Sequence, residues 1–474
     1  MPVPASACFD ELPALAAGLG SGRFTSRELT ALSLERCERH GPRYNAVAAV
    51  LRDQALAAAD RADAERAAGR NRGRLHGIPY AAKDLLAWPG APTTWGAAPY
   101  AMQIIDRQAT VLKRLADAGA ILFAKLAMVE IAGGLGYRQA NASLTGPGRN
   151  PWGTDRWSGG SSSGSGSAVA GGLVPFAIGS ETWGSITTPA GYCGITGLRP
   201  TFGLVSRAGA MPLSWTMDKL GVLSRTAADA LDVLNVIEGQ DPEDPATVAR
   251  PAESAREADA PCRFAVLRGA TERVQPEVAT NFDAALDVLR EFGPVTETEL
   301  PELPFNDVAS LIISCEGAAA HENLLRDGRI AEMTAPENRW SLYANLMIPA
   351  VDYLRALRIL RVMQRELSEW MTRFDVVLTP TLATVAGPVT EPFSSWAQGF
   401  ESTQISAASN LAGFPALTVP SGFGADGLPT GLQLVGPAFS ERLLADIAGR
   451  YQAATDWHRR TPPPLPDING PLEP

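Results

Sequence analysis

Apolar and polar positions alternate with a helical period over the first part of the chain. Thr25 and Glu28 have the spacing of a capping box, which is typical of the start of a helix. This pattern stops at Gly41–Pro42, and an alanine-rich stretch over residues 51–68 predicts a second helix. We therefore expect residues 1–70 to form a helical lead-in to the rest of the fold.

Beyond this lead-in, short apolar runs alternate with helical patterns. The runs that carry this alternation cover residues 78–82, 111–122, 174–178 and 227–237. Later apolar runs, bounded in part by prolines, predict buried strands at residues 264–267, 376–378 and 416–419. Such alternation is typical of an α/β protein, and the late strands are expected to return to the same sheet.

One polar stretch interrupts the pattern. Residues 240–261 read QDPEDPATVARPAESAREADAP and lack any apolar period, which predicts a solvated connection. A chain of 474 residues is long enough for one large α/β unit or for two ordinary domains. The stretch could therefore mark a domain boundary or join two strands of one sheet.

Composition and charge exclude several classes of partner. The net charge of −10 gives no broad positive field for phosphates, so we expect no nucleic-acid partner. No apolar run reaches the length of about 18 residues that a membrane helix needs. Asp10 and Glu11 precede the first basic residue, Arg23, unlike a secretory signal, so we expect a cytoplasmic protein without a membrane anchor.

The cysteines favour neither a disulfide framework nor a zinc site. They are odd in number, far apart and without a C-x-x-C pair, which predicts buried free thiols. The five positions are Cys8, Cys37, Cys193, Cys262 and Cys315.

The segment 158–172, SGGSSSGSGSAVAGG, is the most unusual part of the sequence. Its composition is typical of a flexible linker, but it runs directly into an apolar stretch and a second turn rich in glycine and serine, over residues 173–191. Small residues allow tight turns with many amide and hydroxyl donors close together, as an oxyanion site requires. Composition alone leaves both interpretations open.

Two familiar hydrolase motifs fit this chain poorly. Residues 160–164 match G-x-S-x-G, but NPWGTDRW at 150–157 does not read as a strand, so the strand-to-helix elbow of an α/β-hydrolase is not expected. His321 and Glu322 begin H-E-x-x-H, but Leu325 stands in place of the second histidine. This pair is expected to lie on an ordinary solvated helix face.

A hydrolytic site needs a base, and the usual residue for it is scarce. The histidines are His40, His76, His321 and His458, and none lies in the Gly/Ser segments. Lys83, which follows the apolar run 78–82, is a candidate because burial can remove the proton of a lysine near neutral pH. The alternative is an exposed lysine at the end of a strand.

The run GGSSSGSGSAVAGGLVPFAIGSETWGSITTPAGYCGITGLRPTFGLVSR, residues 159–207, resembles the amidase signature. Further blocks resemble the same family, at residues 79–86, 124–134, 150–152, 375–381 and 410–437. The resemblance implies an α/β fold, with one large α/β/α domain around a mixed central sheet. That domain would span residues 1–474 and include 240–261 as a surface connection.

The family's Ser/cis-Ser/Lys triad falls on Ser185, Ser161 and Lys83, and the spacing 185 − 161 = 24 agrees with the family pattern. The resemblance implies that Ser185 attacks the substrate carbonyl, Ser161 relays its proton and neutral Lys83 is the final base. It also implies a cis peptide bond between Gly160 and Ser161. Backbone N–H groups of residues 182–185 would form the oxyanion hole, and they belong to Thr182, Trp183, Gly184 and Ser185.

Other residues of these blocks have less specific expected roles. Trp183, Tyr137 and Met128 are expected to contact substrate, with outward packing as the alternative for Trp183. Ser162 either supports the triad or caps a helix, and Glu181 is expected to orient the loop rather than to transfer protons. We expect no metal and no cofactor.

The sequence around the nucleophile departs from that of many family members. Residues 181–187 read ETWGSIT where those members read DTGGSIR, so Trp183 replaces a glycine and Thr187 replaces an arginine. This pattern is similar to the peptide-amidase and aryl-acylamidase side of the family. It implies a hydrolase that cleaves C–N bonds of linear amides, and also esters, anilides or carbamates, through an acyl-enzyme.

Two other functions remain as alternatives. The chain could be the glutaminase subunit of a tRNA-dependent amidotransferase, which the two departures disfavour. It could also be a non-catalytic scaffold, which the intact triad positions disfavour. The expected partner is a small-molecule amide substrate, with no nucleic acid and no membrane; a homodimer is left open, and the sequence does not identify the amide.

Overall fold

Thirteen strands make up the two sheets of this computed structural model, which describes residues 3–251 and 261–465. The strands are β1 (Val47–Val50), β2 (Pro79–Lys83), β3 (Ile121–Leu126), β4 (Arg149–Asn150), β5 (Gly153–Trp157), β6 (Phe176–Glu181), β7 (Thr196–Arg199), β8 (Lys219–Ser224), β9 (Phe264–Leu267), β10 (Val295–Thr298), β11 (Val376–Pro380), β12 (Ala416–Phe423) and β13 (Pro429–Val435).

Helices flank the larger sheet. In chain order they are α1 (Leu12–Gly20), α2 (Ser26–Tyr44), α3 (Arg52–Ala67), α4 (Thr110–Asp117), α5 (Ser163–Ala170), α6 (Thr187–Cys193), α7 (Ala227–Ile237), α8 (Pro276–Arg290), α9 (Phe305–Arg326), α10 (Asn338–Leu346), α11 (Ala350–Met371), α12 (Phe393–Trp396), α13 (Ile405–Ala412) and α14 (Glu441–Ala454).

The larger sheet has eleven strands in the order β1-β3-β2-β6-β8-β7-β12-β13-β11-β9-β10. Strand β2 pairs in parallel with β3 and β6, whereas β6 and β8 are antiparallel. Strand β9, which follows the polar connection, joins the same sheet beside β11. The expected α/β fold with a mixed central sheet is therefore confirmed.

The centre of this sheet is buried on both faces, because helices cover it. Every residue of β2, β6 and β8 is buried, and Tyr80 of β2 stacks on Phe176 of β6 with ring centroids 5.1 Å apart. Strands buried on both faces read as continuous apolar runs, and the predicted runs at 78–82 and 174–178 fall on two of them.

The helical lead-in is confirmed in part. The capping box exists: the Thr25 hydroxyl accepts from the Glu28 N–H at 3.0 Å, and the Glu28 carboxylate accepts from the Thr25 N–H at 2.8 Å. The predicted stop at Gly41–Pro42 is wrong, because α2 continues through Pro42 and ends where Asn45 takes a left-handed conformation. A strand, β1, also lies within the lead-in and pairs with β3.

Predicted elements later in the chain agree well with the structure. Residues 227–237 and 264–267 match α7 and β9 in both limits, while 111–122 covers α4 and the start of β3. The sequence predicts that Pro380 and Pro420 bound β11 and β12, but both prolines lie within these strands. Of the polar connection 240–261, residues 252–260 lie outside the described residues.

Three expectations about side chains and segments can be compared directly with the structure. The cysteines are free thiols, four of them buried and Cys315 half-buried. His321 is buried rather than solvated, because its ring packs against Trp95 with centroids 5.9 Å apart. Within residues 3–251 and 261–465, no helix combines the length and the apolar character needed to cross a membrane.

Candidate active site

Lys83 lies at the carboxyl end of β2, inside the centre of the sheet. Its side chain is fully buried, so the alternative of an exposed strand-end lysine is wrong. The Nζ atom donates to the hydroxyl of Ser161 at 2.7 Å and to that of Ser180 at 2.9 Å. Both partners are hydroxyls, which can donate as well as accept, so proton exchange with Lys83 is geometrically available.

Burial changes the protonation of this lysine. Loss of hydration lowers the pKa of Lys83 from 10.5 to about 7, although the carboxylates of Asp218 and Glu181 act to raise it. A substantial share of the side chain is therefore the neutral amine near pH 7. This is the property that a lysine base requires.

The glycine- and serine-rich segment is not a flexible linker. Its second half forms the buried helix α5, and the peptide bond between Gly160 and Ser161 is cis, as the resemblance implied. A Cβ on Gly160 would lie 2.8 Å from Val129 and 3.0 Å from Trp157, so only glycine fits there. The turn that carries Ser161 is thus built into the core.

The prediction that residues 150–157 contain no strand is wrong. Residues 153–157 form β5, which pairs with β4 in a two-stranded ribbon through the register of Arg149 with Trp157. Because β5 lies outside the eleven-stranded sheet, it still does not supply the elbow of an α/β-hydrolase.

The Ser162 side chain contacts Ser180 and does not cap the helix end. As the residue before α5 it makes no side-chain capping bond. Its hydroxyl instead donates to the Ser180 carbonyl at 3.2 Å and accepts from the Ser180 N–H at 3.3 Å. Ser162 therefore fixes the residue whose own hydroxyl contacts Lys83.

Ser185 lies in the loop between β6 and α6, with its carbonyl accepting from the Ser162 N–H at 3.3 Å. This contact brings the loop against the turn that carries Ser161. Among the described residues the Ser185 hydroxyl has no hydrogen-bond partner. Contacts between a nucleophile and its base often tighten only around substrate, so this geometry is compatible with a nucleophile.

The N–H groups of Trp183, Gly184 and Ser185 point to an anion-binding loop. Within the described chain, none of the three donates a hydrogen bond to a protein acceptor. Free amide donors beside a nucleophilic hydroxyl are the arrangement that stabilises an oxyanion.

Glu181 holds this loop in place. One carboxylate oxygen accepts from the N–H groups of Ile186 and Thr187 at 2.9 and 3.0 Å, and the other accepts from Arg199 at 2.8 Å and Asn410 at 3.1 Å. Despite full burial, these contacts lower the pKa of Glu181 to about 2. The carboxylate therefore stays ionised, as a loop-orienting residue should.

A cavity of about 530 Å³ opens above Ser185. Trp183 and Tyr137 line it, as expected for substrate contacts, together with Trp157 and Phe393. Met128 does not line it, because its side chain is fully buried in the core. None of the described residues that line the cavity carries a charge.

Sequence reasoning missed Ser180 and Asp218. Asp218 precedes β8; its carboxylate accepts from the Thr182 hydroxyl at 2.5 Å and from the N–H groups of Leu213 and Ser214 at 2.8 and 2.9 Å. Burial raises the pKa of Asp218. The sequence distances of Ser180 and Asp218 from Lys83 match no known motif. These residues come together only through the pairing of strands in the sheet.

Comparison with known proteins gives one family. Residues 28–445 match the family described as Amidase. The chain is 35% identical over 485 residues to a Glutamyl-tRNA(Gln) amidotransferase subunit of Methylococcus capsulatus, and the alignment covers 96% of this chain and 99% of that protein.

Two solved structures superpose over most of the chain. The native peptide amidase of Stenotrophomonas maltophilia gives a TM-score of 0.85 at 30% identity and covers 98% of this chain and 100% of its own. The corresponding Glutamyl-tRNA(Gln) amidotransferase subunit of Thermotoga maritima gives 0.75 at 27% identity and covers 96% and 95%. The backbone superposes better on the peptide amidase than on that subunit, whereas the curated relative is an amidotransferase subunit.

Proposed function

Because the chain belongs to the amidase family, we propose that it is a self-sufficient hydrolase of uncharged linear amides, which forms an acyl-enzyme on Ser185. The observation that carries this proposal is the character of the cavity above Ser185. Its walls are aromatic rings, glycines, hydroxyls and aliphatic groups, without a charged side chain among the described lining residues. A neutral acyl group with an aromatic or aliphatic body fits such walls.

Acylation would use the hydrogen bond between Lys83 and Ser161, with the Ser185 hydroxyl closing on Ser161 around the substrate. The Ser185 hydroxyl attacks the amide carbon and its proton passes to Ser161, while the Ser161 proton passes to neutral Lys83 along the 2.7 Å hydrogen bond. The free N–H groups of residues 183–185 receive the developing oxyanion; one such donor is worth roughly 3–4 kcal/mol of barrier. Collapse breaks the C–N bond, and the amine leaves with the proton returned through Ser161.

Deacylation repeats these transfers with water as the nucleophile. Water attacks the ester on Ser185 and gives its proton to Ser161, whose own proton passes to Lys83. The carboxylic acid then leaves as the proton returns to the Ser185 oxygen. Glu181 takes no proton at any step because its carboxylate stays ionised.

A glutaminase subunit of an amidotransferase is the second candidate, and the 35% identity to such a subunit favours it. Free glutamine carries an α-carboxylate and an α-ammonium group. Burying either charge without a partner is costly, and the lining of the cavity offers none among the described residues. Trp183 is half-buried, and its indole takes up part of the cavity that a glycine, as in many family members, would leave empty. We therefore rank this function below hydrolysis of neutral amides.

The purified chain, without added proteins, tests the proposal. We expect it to hydrolyse neutral anilides, benzamides and N-acylated peptide amides, and to leave free glutamine almost untouched. Ser185→Ala should abolish both hydrolysis and formation of the acyl-enzyme. The acyl-enzyme is detected by mass spectrometry of protein that has been mixed with substrate and then quenched. Ser21→Ala, at an exposed serine after α1, is the matched control and should behave as wild type.

The competing function predicts a different set of results. Glutamine hydrolysis that exceeds amide hydrolysis, or activity that requires both a tRNA-linked acceptor and a partner protein, would favour the amidotransferase interpretation. Full activity in Ser185→Ala would exclude both functions.

A further inference from the structure

The exposed face of α11 has an unusual composition. More than half of the large hydrophobic side chains exposed on the described surface lie between residues 340 and 362. On α11 these are Val351 and Leu354, each 58% exposed, and Val362, 38% exposed. Exposed apolar clusters of this kind mark interaction sites more often than inert surface.

Charged residues share one stripe of this face with Val362. Arg355, Arg358, Val362, Glu366 and Glu369 follow one another at intervals of three, four, four and three residues, which places them on one side of the helix. The buried side of α11 is formed by other positions, among them Ala356, Leu360, Met363 and Leu367. The stripe therefore faces away from the core.

The charges on the stripe are symmetric about Val362. Arg358 and Glu366 stand four residues to either side of it, and Arg355 and Glu369 stand seven residues to either side. One half of the stripe is basic and the other half is acidic. A two-fold axis through Val362 would bring each arginine opposite a glutamate of an antiparallel copy.

The charged side chains of the stripe form few ion pairs with other described residues of the chain. Arg358 and Glu369 have no side-chain ion pair among the described residues, and Glu366 has only its neighbour Arg365, at 3.9 Å. Arg355 pairs with Asp352, one turn away on the same helix, at 2.6 Å. Exposed charges without fixed partners are available for contacts between molecules.

We propose that this face of α11 is a self-complementary docking surface on which a second copy of the chain binds in antiparallel orientation, with the two-fold axis at Val362. Isologous contacts of this type place the same patch on both partners, so a patch must complement itself. The stripe meets this requirement through two kinds of ion pair and a central apolar contact.

The apolar end of α11 extends the surface. Val351 and Leu354 line a groove of about 1080 Å³ together with Trp215 and Val248, which are 44% and 39% exposed. In the antiparallel arrangement, the carboxyl end of the partner's helix reaches this groove. Covering these side chains supplies apolar burial, whereas the ion pairs fix orientation and register.

Sedimentation velocity over a range of protein concentrations tests the arrangement. Wild type should form a reversible dimer that weakens as salt is added, because exposed ion pairs are screened. Val362→Asp places two carboxylates on the axis and should weaken dimerisation by more than about tenfold. Arg358→Glu should do the same, since it opposes Glu366 of the other copy.

The charge swap provides the discriminating result. Glu366→Arg alone should weaken the dimer, and the double variant Arg358→Glu/Glu366→Arg should restore it, because every pair is again opposite in sign. Arg290→Glu on α8 changes the net charge equally and should leave the dimer intact. None of these side chains lines the cavity above Ser185, so amide hydrolysis and the melting temperature report that each variant is folded.

Three outcomes would overturn the proposal. Wild type could remain monomeric at every accessible concentration. The dimer could persist in both Val362→Asp and Arg358→Glu, which would assign it to another face. The double variant could stay as weak as the single variants, which would refute the antiparallel register about Val362.

Discussion

The side chains of Lys83, Lys125 and Lys219 are all buried in the described core, and they differ in what they contact. Lys125 is paired with the buried carboxylate of Asp84 at 2.8 Å, and Lys219 donates to the carbonyl of Met217. Among the described residues, Lys83 forms hydrogen bonds only with hydroxyls. A carboxylate partner favours the ammonium form, so Lys83 is better suited than Lys125 to act as a neutral base.

The neighbouring charge on Asp218 makes a testable contribution to this base. The neutral amine is the active form, so kcat/KM should rise with pH through a midpoint near the Lys83 pKa of about 7. Asp218→Asn removes the carboxylate that raises this pKa, so the midpoint should move to lower pH. The new amide can still accept from the Leu213 and Ser214 N–H groups and can donate to Thr182.

The control for this change is Asp117→Asn, which removes an exposed carboxylate on α4 that pairs with Lys113. Its pH profile should superpose on that of wild type. A profile of Asp218→Asn that also superposes, at comparable stability, would show that the Asp218 charge does not act on the base.

Glu181 offers a second prediction at the scale of one side chain. Glu181→Gln leaves the buried Arg199 without its ionic partner and weakens the acceptor for the Ile186 and Thr187 N–H groups. We expect kcat to fall by about a hundredfold with a smaller change in KM, because the oxyanion donors lose their positions. The free energy of unfolding should fall by about 3 kcal/mol.

Steady-state kinetics and urea unfolding of this variant measure the two effects separately. A fall in kcat that persists at temperatures where the variant is fully folded would agree with a positioning role. An unchanged kcat in a destabilised protein would contradict it, since the carboxylate would then support only the fold.

At the scale of the elements, helix α5 is packed too closely for any side chain at Gly164. A Cβ there would lie 2.3 Å from the Ala46 carbonyl oxygen and 2.6 Å from the Ala127 nitrogen, and backbone atoms yield little. Gly164→Ala should therefore lower the free energy of unfolding by about 3 kcal/mol through overpacking. Thermal and urea unfolding measure this loss.

Gly449 in α14 is the matched control, because a Cβ there meets no atom within 4 Å. Gly449→Ala should stabilise the protein by about 0.5–1 kcal/mol, since alanine is the better helix former. Equal effects of the two substitutions would mean that α5 can move away from its neighbours.

The elements also show what the sequence could predict. The capping box at Thr25 and the limits of α7 depend on local chemistry, so local patterns were sufficient. Strand β1 is short and only half-buried, and α2 passes through Pro42 in its last turn, so neither has a strong local signal. Local patterns report burial and capping, whereas edge strands depend on which partner they meet.

The residues of the candidate site also divide into those that the sequence could predict and those that it could not. The positions of Lys83, Ser161 and Ser185 followed from resemblance to a family; the structure joins Lys83 to Ser161 by a hydrogen bond and places Ser185 at the cavity. Ser180 was not predicted, because its contact with Lys83 arises from the pairing of β2 with β6. Pairing between strands distant in sequence leaves no mark in either strand alone.

For the molecule as a whole, buried His321 should couple stability to acid. Burial lowers the pKa of His321 from 6.5 to about 4. Between pH 6.5 and pH 4, His321 is protonated in the unfolded chain but stays neutral in the folded chain. The free energy of unfolding therefore falls as pH decreases. The total loss from this group approaches about 3 kcal/mol by pH 4.

His321→Phe keeps an aromatic ring against Trp95 and removes the titration. Urea unfolding at pH 7 and pH 4.5 should therefore show a smaller loss of stability on acidification for this variant than for wild type. Equal losses in the two proteins would mean that other groups account for the acid sensitivity.

The strand order has a consequence for how this protein is made. Strand β7 is paired in the sheet with β12, which follows it by more than two hundred residues. A ribosome adds roughly 5–20 residues per second, so β7 waits roughly 10–40 s for its neighbour. During that interval the segments that carry Lys83 and Ser185 have already left the ribosome. The edge of β7 that later pairs with β12 is still open beside them. We expect the emerging first half to need chaperone protection, and to aggregate when it is produced alone.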